Sequence, residues 1–190
     1  MAKLSIAIMA HPSREKFFPY LQERLGDIPI SVDTGKGIWD NCKRAWQASE
    51  IEKAEYHLVL QDDAIICHDF RKKAEEILSV GHRAYSFYFG NRQRFRRLAQ
   101  KGLKEGHILG GLNWGLAVCL RADLIKQMIR FGDRTNLKQD DARIQKFLSK
   151  NKIKVYYPMP SLIDHRTGEQ SLVNDKGRGR KAWFYIDNEN

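Results

Sequence analysis

Cysteine is scarce in this chain. The three present, Cys42, Cys67 and Cys119, are odd in number, widely spaced and form no C-x-x-C pair. Such a set argues against a disulfide framework or a zinc knuckle and for a reducing cytoplasm. Long hydrophobic runs are missing too: none approaches the ~20 residues of a membrane span. The opening MAKLSIAIMAHP has one lysine, a short apolar core containing Ser5, and an early His-Pro. It reads better as a first buried strand than as a secretory leader. Repeats, low-complexity segments and linker-like stretches are likewise lacking. With 42% hydrophobic and 29% charged residues over 190 positions, global disorder is disfavoured, and one domain, 1–190, with a full core is expected.

Acidic residues are in deficit. Lys and Arg number 33 against 23 Asp and Glu, a formal charge of +10. Basic chains favour polyanions: nucleic acid, an anionic membrane surface or phosphorylated small molecules. Between Arg71 and Lys104 there are ten Lys/Arg against Glu75 and Glu76, and a second cluster, KGRGRK, runs from Lys176 to Lys181. A solvated, solubilising face would explain either cluster alone; two in one small chain favour anion binding.

The hydrophobic pattern alternates between strand and helix periods. Strands are expected at Leu4–Met9, Ile28–Val32, Tyr56–Leu60, Arg83–Phe89, Leu116–Leu120 and Ile153–Tyr157. Helices are expected at Arg14–Leu25 before Gly26, Ile38–Ile51, Asp69–Val80, Ala122–Phe131 ended by Gly132, and Asp141–Lys150. Asn91–Lys104 reads as a basic helix or loop, and HILGGLNWG as a glycine-broken segment around a short strand. The tail from Met159 to Asn190 shows little periodicity. This order implies an α/β domain with a mainly parallel central sheet flanked by helices. Ligands bind beyond the carboxyl ends of such strands, where His11, Asp33, Asp62, Asp63 and His165 would share one rim.

Four features bear on chemistry. Gln61-Asp62-Asp63 closes a buried strand, where neighbouring carboxylates need either water or a cation. Asp140-Asp141 opens a helix; capping and the helix dipole explain either acid, worth ~1 kcal/mol, and so does a functional pair. The loop PSLIDHRTGEQSLV, Pro160 to Val173, carries His165, an ordinary loop residue or a metal ligand. The basic tail suits phosphate oxygens.

Together the His-Pro loop after the first strand, LVLQDDAI, QDDARI and YPMPSLIDH followed by Ser-Leu resemble GT-A fold glycosyltransferases, in particular a group of small phage and bacterial glycosyltransferase-like proteins, over roughly Leu4 to Phe184. The resemblance implies a nucleotide-sugar donor, UDP-hexose by preference, and a divalent cation, Mn²⁺ or Mg²⁺. Asp63 matches the last acid of the family's metal motif and His165 a downstream ligand, whereas Gln61 stands where the family has an acid. Asp62 would compensate for that missing charge. Asp141, or else Asp140, would deprotonate an acceptor hydroxyl, with inversion at the anomeric carbon. His11, Arg14 and Asp33 fall where the family holds the nucleotide, with Trp39 and Asn41 near Asp33. Arg178 and Arg180 would close over the phosphates on the tail, 159–190, bending at Gly177 and Gly179.

The excess positive charge suggests a polyanionic acceptor, with hydroxymethylated bases in DNA first in line. Arg92, Arg94, Arg96, Arg97, Lys101 and Lys104 would then face phosphates, and Phe95 and Trp114 an extruded base. Trp114 also reads as core. A lipopolysaccharide or other phosphorylated envelope glycan is the alternative acceptor. A metal-dependent nuclease and a non-catalytic nucleic-acid-binding module are the alternative classes.

Overall fold

A computed structural model describes residues 2–48, 53–168 and 180–187. The chain forms an α/β domain around a 7-stranded sheet, with a 2-stranded sheet beside it. The sheet strands are β1 (Leu4–Ala10), β2 (Ile30–Val32), β3 (Tyr56–Gln61), β5 (Ala84–Ser86), β6 (His107–Gly110), β7 (Ala117–Arg121) and β8 (Val155–Pro158). Their spatial order is β2-β1-β3-β7-β5-β8-β6. Pairing is parallel for β1 with β2 and β3 and for β5 with β8, and antiparallel wherever β7 or β6 is a partner. All the strands but β6 and β7 therefore run the same way. The expected mainly parallel sheet is present, with two reversed strands that hydrophobic periodicity could not reveal.

Helices α1 (Phe18–Leu25), α2 (Ile38–Trp46), α3 (Phe70–Leu78), α4 (Arg96–Glu105), α5 (Ala122–Asp133) and α6 (Asp140–Lys150) flank the sheet. Strands β1 and β3 are buried along almost their whole length, which accounts for their unbroken apolar runs. They lie in register from Leu4↔Tyr56 to Met9↔Gln61. His11 and the Asp62-Asp63 turn consequently leave the sheet side by side, at the carboxyl ends of adjacent parallel strands.

Several expectations need correction. Arg14–Leu25 is not one helix: a 3₁₀ turn, Pro12–Phe17, precedes α1, and Arg14 within it has non-helical φ −115°. Pro19 sits in the first turn of α1, where its missing N–H costs nothing, so the helix restarts there. Helix α2 ends at Trp46 rather than Ile51, and residues 49–52 lie outside the described residues. Of Arg83–Phe89 only Ala84–Ser86 is strand; Phe87, Tyr88 and Phe89 are buried aromatics beyond the ladder. The apolar residues after Asp63 form β4 (Ala64–Ile66), which pairs antiparallel with β9 (Ile163–His165) in the tail that looked irregular.

Gly132 does not stop α5 but lies inside it. A Cβ there would meet Trp39 Cζ2 at 2.1 Å, so the glycine is needed for close approach. The indole is fixed from other sides: its Nε1–H donates to Asp133 Oδ1 at 2.9 Å, and the Arg143 guanidinium lies 5.0 Å over the ring. Gly132→Ala should therefore cost about 1–3 kcal/mol through overpacking, seen as a lowered urea midpoint with unchanged slope.

Candidate active site

The acid pair opens the site. Asp62 and Asp63 form the turn between β3 and β4, and both are 3% exposed. Burial on this scale demands partners. Asp62 Oδ2 accepts the His11 backbone N–H at 2.7 Å, and its Oδ1 accepts from Arg14 Nη1 at 2.7 Å. The same Arg14 nitrogen donates to Asp63 Oδ2 at 2.7 Å. Burial nevertheless raises the Asp62 carboxyl above its ordinary range, against the lowering pull of these hydrogen bonds. Burial also works to lower the Arg14 pKa, but the two carboxylates outweigh it and the net shift is upward.

The β4–β9 ladder completes the floor. Ala64 pairs with His165, and the Arg166 N–H donates to the Asp63 carbonyl oxygen at 2.9 Å. His165 Nε2 thereby comes to 3.4 Å from Asp63 Oδ2. Its Nδ1 lies 2.9 Å from the Arg166 carbonyl oxygen, a contact that a protonated Nδ1 satisfies. In a neutral ring Nε2 would then turn a lone pair towards a carboxylate. Such a pair of nitrogen and carboxylate oxygen suits a metal ion, although Arg14 Nη1 already donates to the same Asp63 oxygen. Among the described residues, Asp63 Oδ1 is buried without a hydrogen-bond partner, which suits a cation ligand. The described residues contain no group of three or more His, Cys, Asp or Glu arranged around one point, so a metal here would draw other ligands from water or a bound phosphate.

These groups line a cleft of about 290 Å³, together with Asp33, Ile38, Asn41, Gln61, Asp140 and Arg180. A wider groove of about 1040 Å³ between α5 and α6 contains none of the candidate acids; Asp62, Asp63 and Asp140 line the smaller one. Asp33 is held by its own loop, with Oδ1 accepting the Gly35 N–H at 2.9 Å. Asn41 is a strut: its Nδ2 donates to the Ala10 carbonyl oxygen at 2.9 Å and its Oδ1 accepts from Ser31 Oγ at 2.7 Å. It ties α2 to β1 and β2 beneath the cleft.

Both acids of the second pair reach this region. Asp140 lines the cleft, and burial followed by repulsion from Asp141 pushes its pKa up to about 6. Asp141 lies behind Gly115, where a Cβ would sit 3.1 Å from Asp141 Cβ and 3.3 Å from Gln61 Nε2. Its pKa is raised by burial, against the Ala142 backbone N–H and the charges of Arg180 and Arg92. Each carboxylate also faces backbone N–H groups of the first turn of α6, so capping and a place at the site coexist. Gly115 went unread in the sequence, although the glycine-broken GGLNWG was its signal.

The tail and basic segment divide. Arg180 lines the cleft; Arg178 lies outside the described residues, as do Gly177 and Gly179. Arg180 leads into a chain segment pinned to the body, where the Trp183 N–H donates to the Phe89 carbonyl oxygen at 2.7 Å and the Ala182 N–H to Asp164. Arg92, Arg94, Arg96, Arg97, Lys101 and Lys104 are all exposed, on or just before α4. Trp114 contradicts its expected role at a nucleic-acid surface. It is 4% exposed and packs edge-on against Tyr88, Phe89, Phe95 and Tyr157. Gly90 makes room for it, since a Cβ there would meet the indole at 2.9 Å. Phe95 is half-buried in the same cluster, with the Arg94 guanidinium 4.6 Å over its ring.

No protein-family model matches the chain, and no curated protein matches its sequence. Solved structures do. A197 from STIV is 14% identical with a TM-score of 0.52, covering 96% of this chain and 94% of that one; the likeness is one of fold. CMP:2-keto-3-deoxy-manno-octonic acid synthetase in complex with CTP aligns at TM-score 0.49 and 11% identity, over 82% of this chain and 89% of its own. A Drosophila β-1,4-galactosyltransferase 7 mutant with manganese, UDP-Gal and xylobiose aligns at 0.46 and 11%, over 94% and 81%.

Because its folded-state pKa is raised, Asp140 favours folding below its unfolded value near 4, and that contribution is lost as pH climbs through about 6. Asp140→Asn should therefore raise stability at pH 7.5 by about 1–2 kcal/mol, allowing for partial exposure, and leave it nearly unchanged at pH 4. Thermal melts across that range measure the difference.

Proposed function

We propose that the protein is a glycosyltransferase that moves a hexose from a nucleotide sugar, UDP-linked by preference, to an acceptor hydroxyl. One observation carries the reading: buried Asp63, with an oxygen unpartnered among the described residues, faces His165 in a cleft also reached by Arg180 and Asp140. A metal-independent binding module has no use for such a costly arrangement. Asp63 and His165 would hold a divalent cation, Mn²⁺ or Mg²⁺, whose charge offsets that developing on the leaving diphosphate. Arg180 adds a fixed positive charge at the same mouth. Asp33, His11 and Ile38 offer the wall for the nucleoside. The half-buried Asp141, beyond Gln61 and Gly115, would take the acceptor proton, with Asp140 as the other candidate base, and attack from that side would invert the anomeric centre. The loop 159–190 closes the donor site in this reading, which treats 1–190 as one catalytic domain.

The acceptor follows from charge. Arg92 acts electrostatically on Asp141, and it begins the row that continues through exposed Arg94, Arg96, Arg97, Lys101 and Lys104. A phosphate backbone lying along α4 would bring a modified base towards Asp141. Hydroxymethylated DNA, as in phage-type modification within a host cytoplasm, is the acceptor proposed; a phosphorylated envelope glycan is the competing one. Among the described residues no helix is long and apolar enough to cross a membrane.

Incubation with nucleotide sugars and Mn²⁺ should release nucleoside diphosphate. Asp141→Asn should slow transfer by about 10²–10⁴-fold, and a similar loss for Asp140→Asn alone would reassign the base. Turnover by neither wild type nor any donor in the panel, with strand cleavage instead, would establish a nuclease. Replacing Arg96, Arg97 and Lys104 together by Ala should weaken duplex binding and flatten its log–log salt dependence by roughly 3. Transfer only to a lipid-linked saccharide would exclude DNA.

A further inference from the structure

The acid pair already holds a cation, and the chain itself supplies it. A single nitrogen, Arg14 Nη1, lies 2.7 Å from Asp62 Oδ1 and 2.7 Å from Asp63 Oδ2. That Asp63 oxygen is also the one facing His165 Nε2. Arg14 is 6% exposed, and a guanidinium keeps its charge at any working pH. Its position is set by backbone: the turn before α1 breaks helical geometry at Arg14 itself, and the His11 side chain caps that turn by accepting the Ser13 N–H.

Any divalent ion bound between Asp63 and His165 would lie within a few ångströms of this fixed positive charge. Like charges that close, shielded from water, repel strongly. The pair Asp62–Asp63 carries two negative charges when ionised, and Arg14 neutralises part of them before any metal arrives. A nucleoside diphosphate alters the balance by adding negative oxygens at the same point.

We propose that Arg14 is a resident counter-ion that competes with the divalent cation for the Asp62–Asp63 pair, so that metal binds tightly only together with a nucleoside diphosphate. The site is then held ready, with its carboxylates compensated, while free metal is kept off it. Binding is coupled, and by reciprocity the metal strengthens nucleotide binding by the same factor. The inference rests on the nucleotide-sugar reading of the cleft.

Calorimetric titration of the full chain with Mn²⁺, with and without UDP, tests it. Wild type should bind Mn²⁺ at least tenfold more tightly when UDP is present. Arg14→Gln should bind Mn²⁺ without UDP at least tenfold more tightly than wild type, and Mn²⁺ should raise its melting temperature more. Arg14→Lys, which keeps the charge, should stay within threefold of wild type. Equal or weaker Mn²⁺ binding by Arg14→Gln overturns the proposal, as does a wild-type Mn²⁺ affinity that ignores UDP. If Arg14→Gln does not fold, the UDP dependence of the wild type decides. Failure to turn over any nucleotide sugar would instead defeat the transferase reading, a result distinct from these titrations.

Discussion

Two adjacent carboxylates shut away from water form the constraint around which this structure is arranged. Left alone, Asp62 and Asp63 would repel one another and forfeit hydration worth several kcal/mol per ion. Each neighbouring element supplies part of the compensation. Strand β1 ends one residue before a free backbone N–H that meets Asp62. The irregular turn ahead of α1 brings in a guanidinium. The small β4–β9 ladder contributes an imidazole. Even so one oxygen of Asp63 goes without a partner among the described residues, and a fold selected only for stability would gain by replacing the pair with apolar side chains.

The cleft has an acidic floor and a basic margin. The floor holds Asp62, Asp63 and Asp140, while Arg180 and Arg92 bring positive charge to its edge. Such an arrangement attracts polyanions over a distance set by ionic strength, about 8 Å at physiological salt, and reserves the carboxylates for cations and protons at close range. Helix α6 links the two. Its first turn offers both acids to the cleft, while Gln139 at the cap position makes no side-chain hydrogen bond.

Much of this was legible in the sequence, and the failures have physical causes. The strand ending in Gln61-Asp62-Asp63 announced itself because β3 is buried on both faces, giving an unbroken apolar run that stops abruptly at charge. Asp63 and His165, remote in sequence, were expected at one rim and the structure brings them together. Strands β4 and β9 escaped notice because three residues are too few to display a period. The pairing of Arg14 with the acids is hidden for a related reason: Phe17, Phe18, Leu21 and Leu25 have helical spacing, which conceals the non-helical backbone at Arg14 itself. Trp114 reads in the sequence either as a base-contacting residue or as core, and Gly90, distant in sequence, opens the space that buries it. Gly132 reads as a helix terminator, whereas its lack of a side chain makes room for Trp39.

The late return of the chain has a consequence for biosynthesis. Residues 183 to 187 are tied to earlier ones, Phe184 to Ser161, Trp183 to Phe89 and Asp187 to His68. Contacts of such long sequence separation form slowly, and during synthesis they must wait until residues 183–187 have emerged. Before residues 163–165 and 180 are in place, Asp63 lacks the imidazole and the arginine that share its cleft. The cleft is thus complete only once this late segment has docked, and a chain halted before residue 163 would carry Asp63 without the imidazole that faces it in the fold.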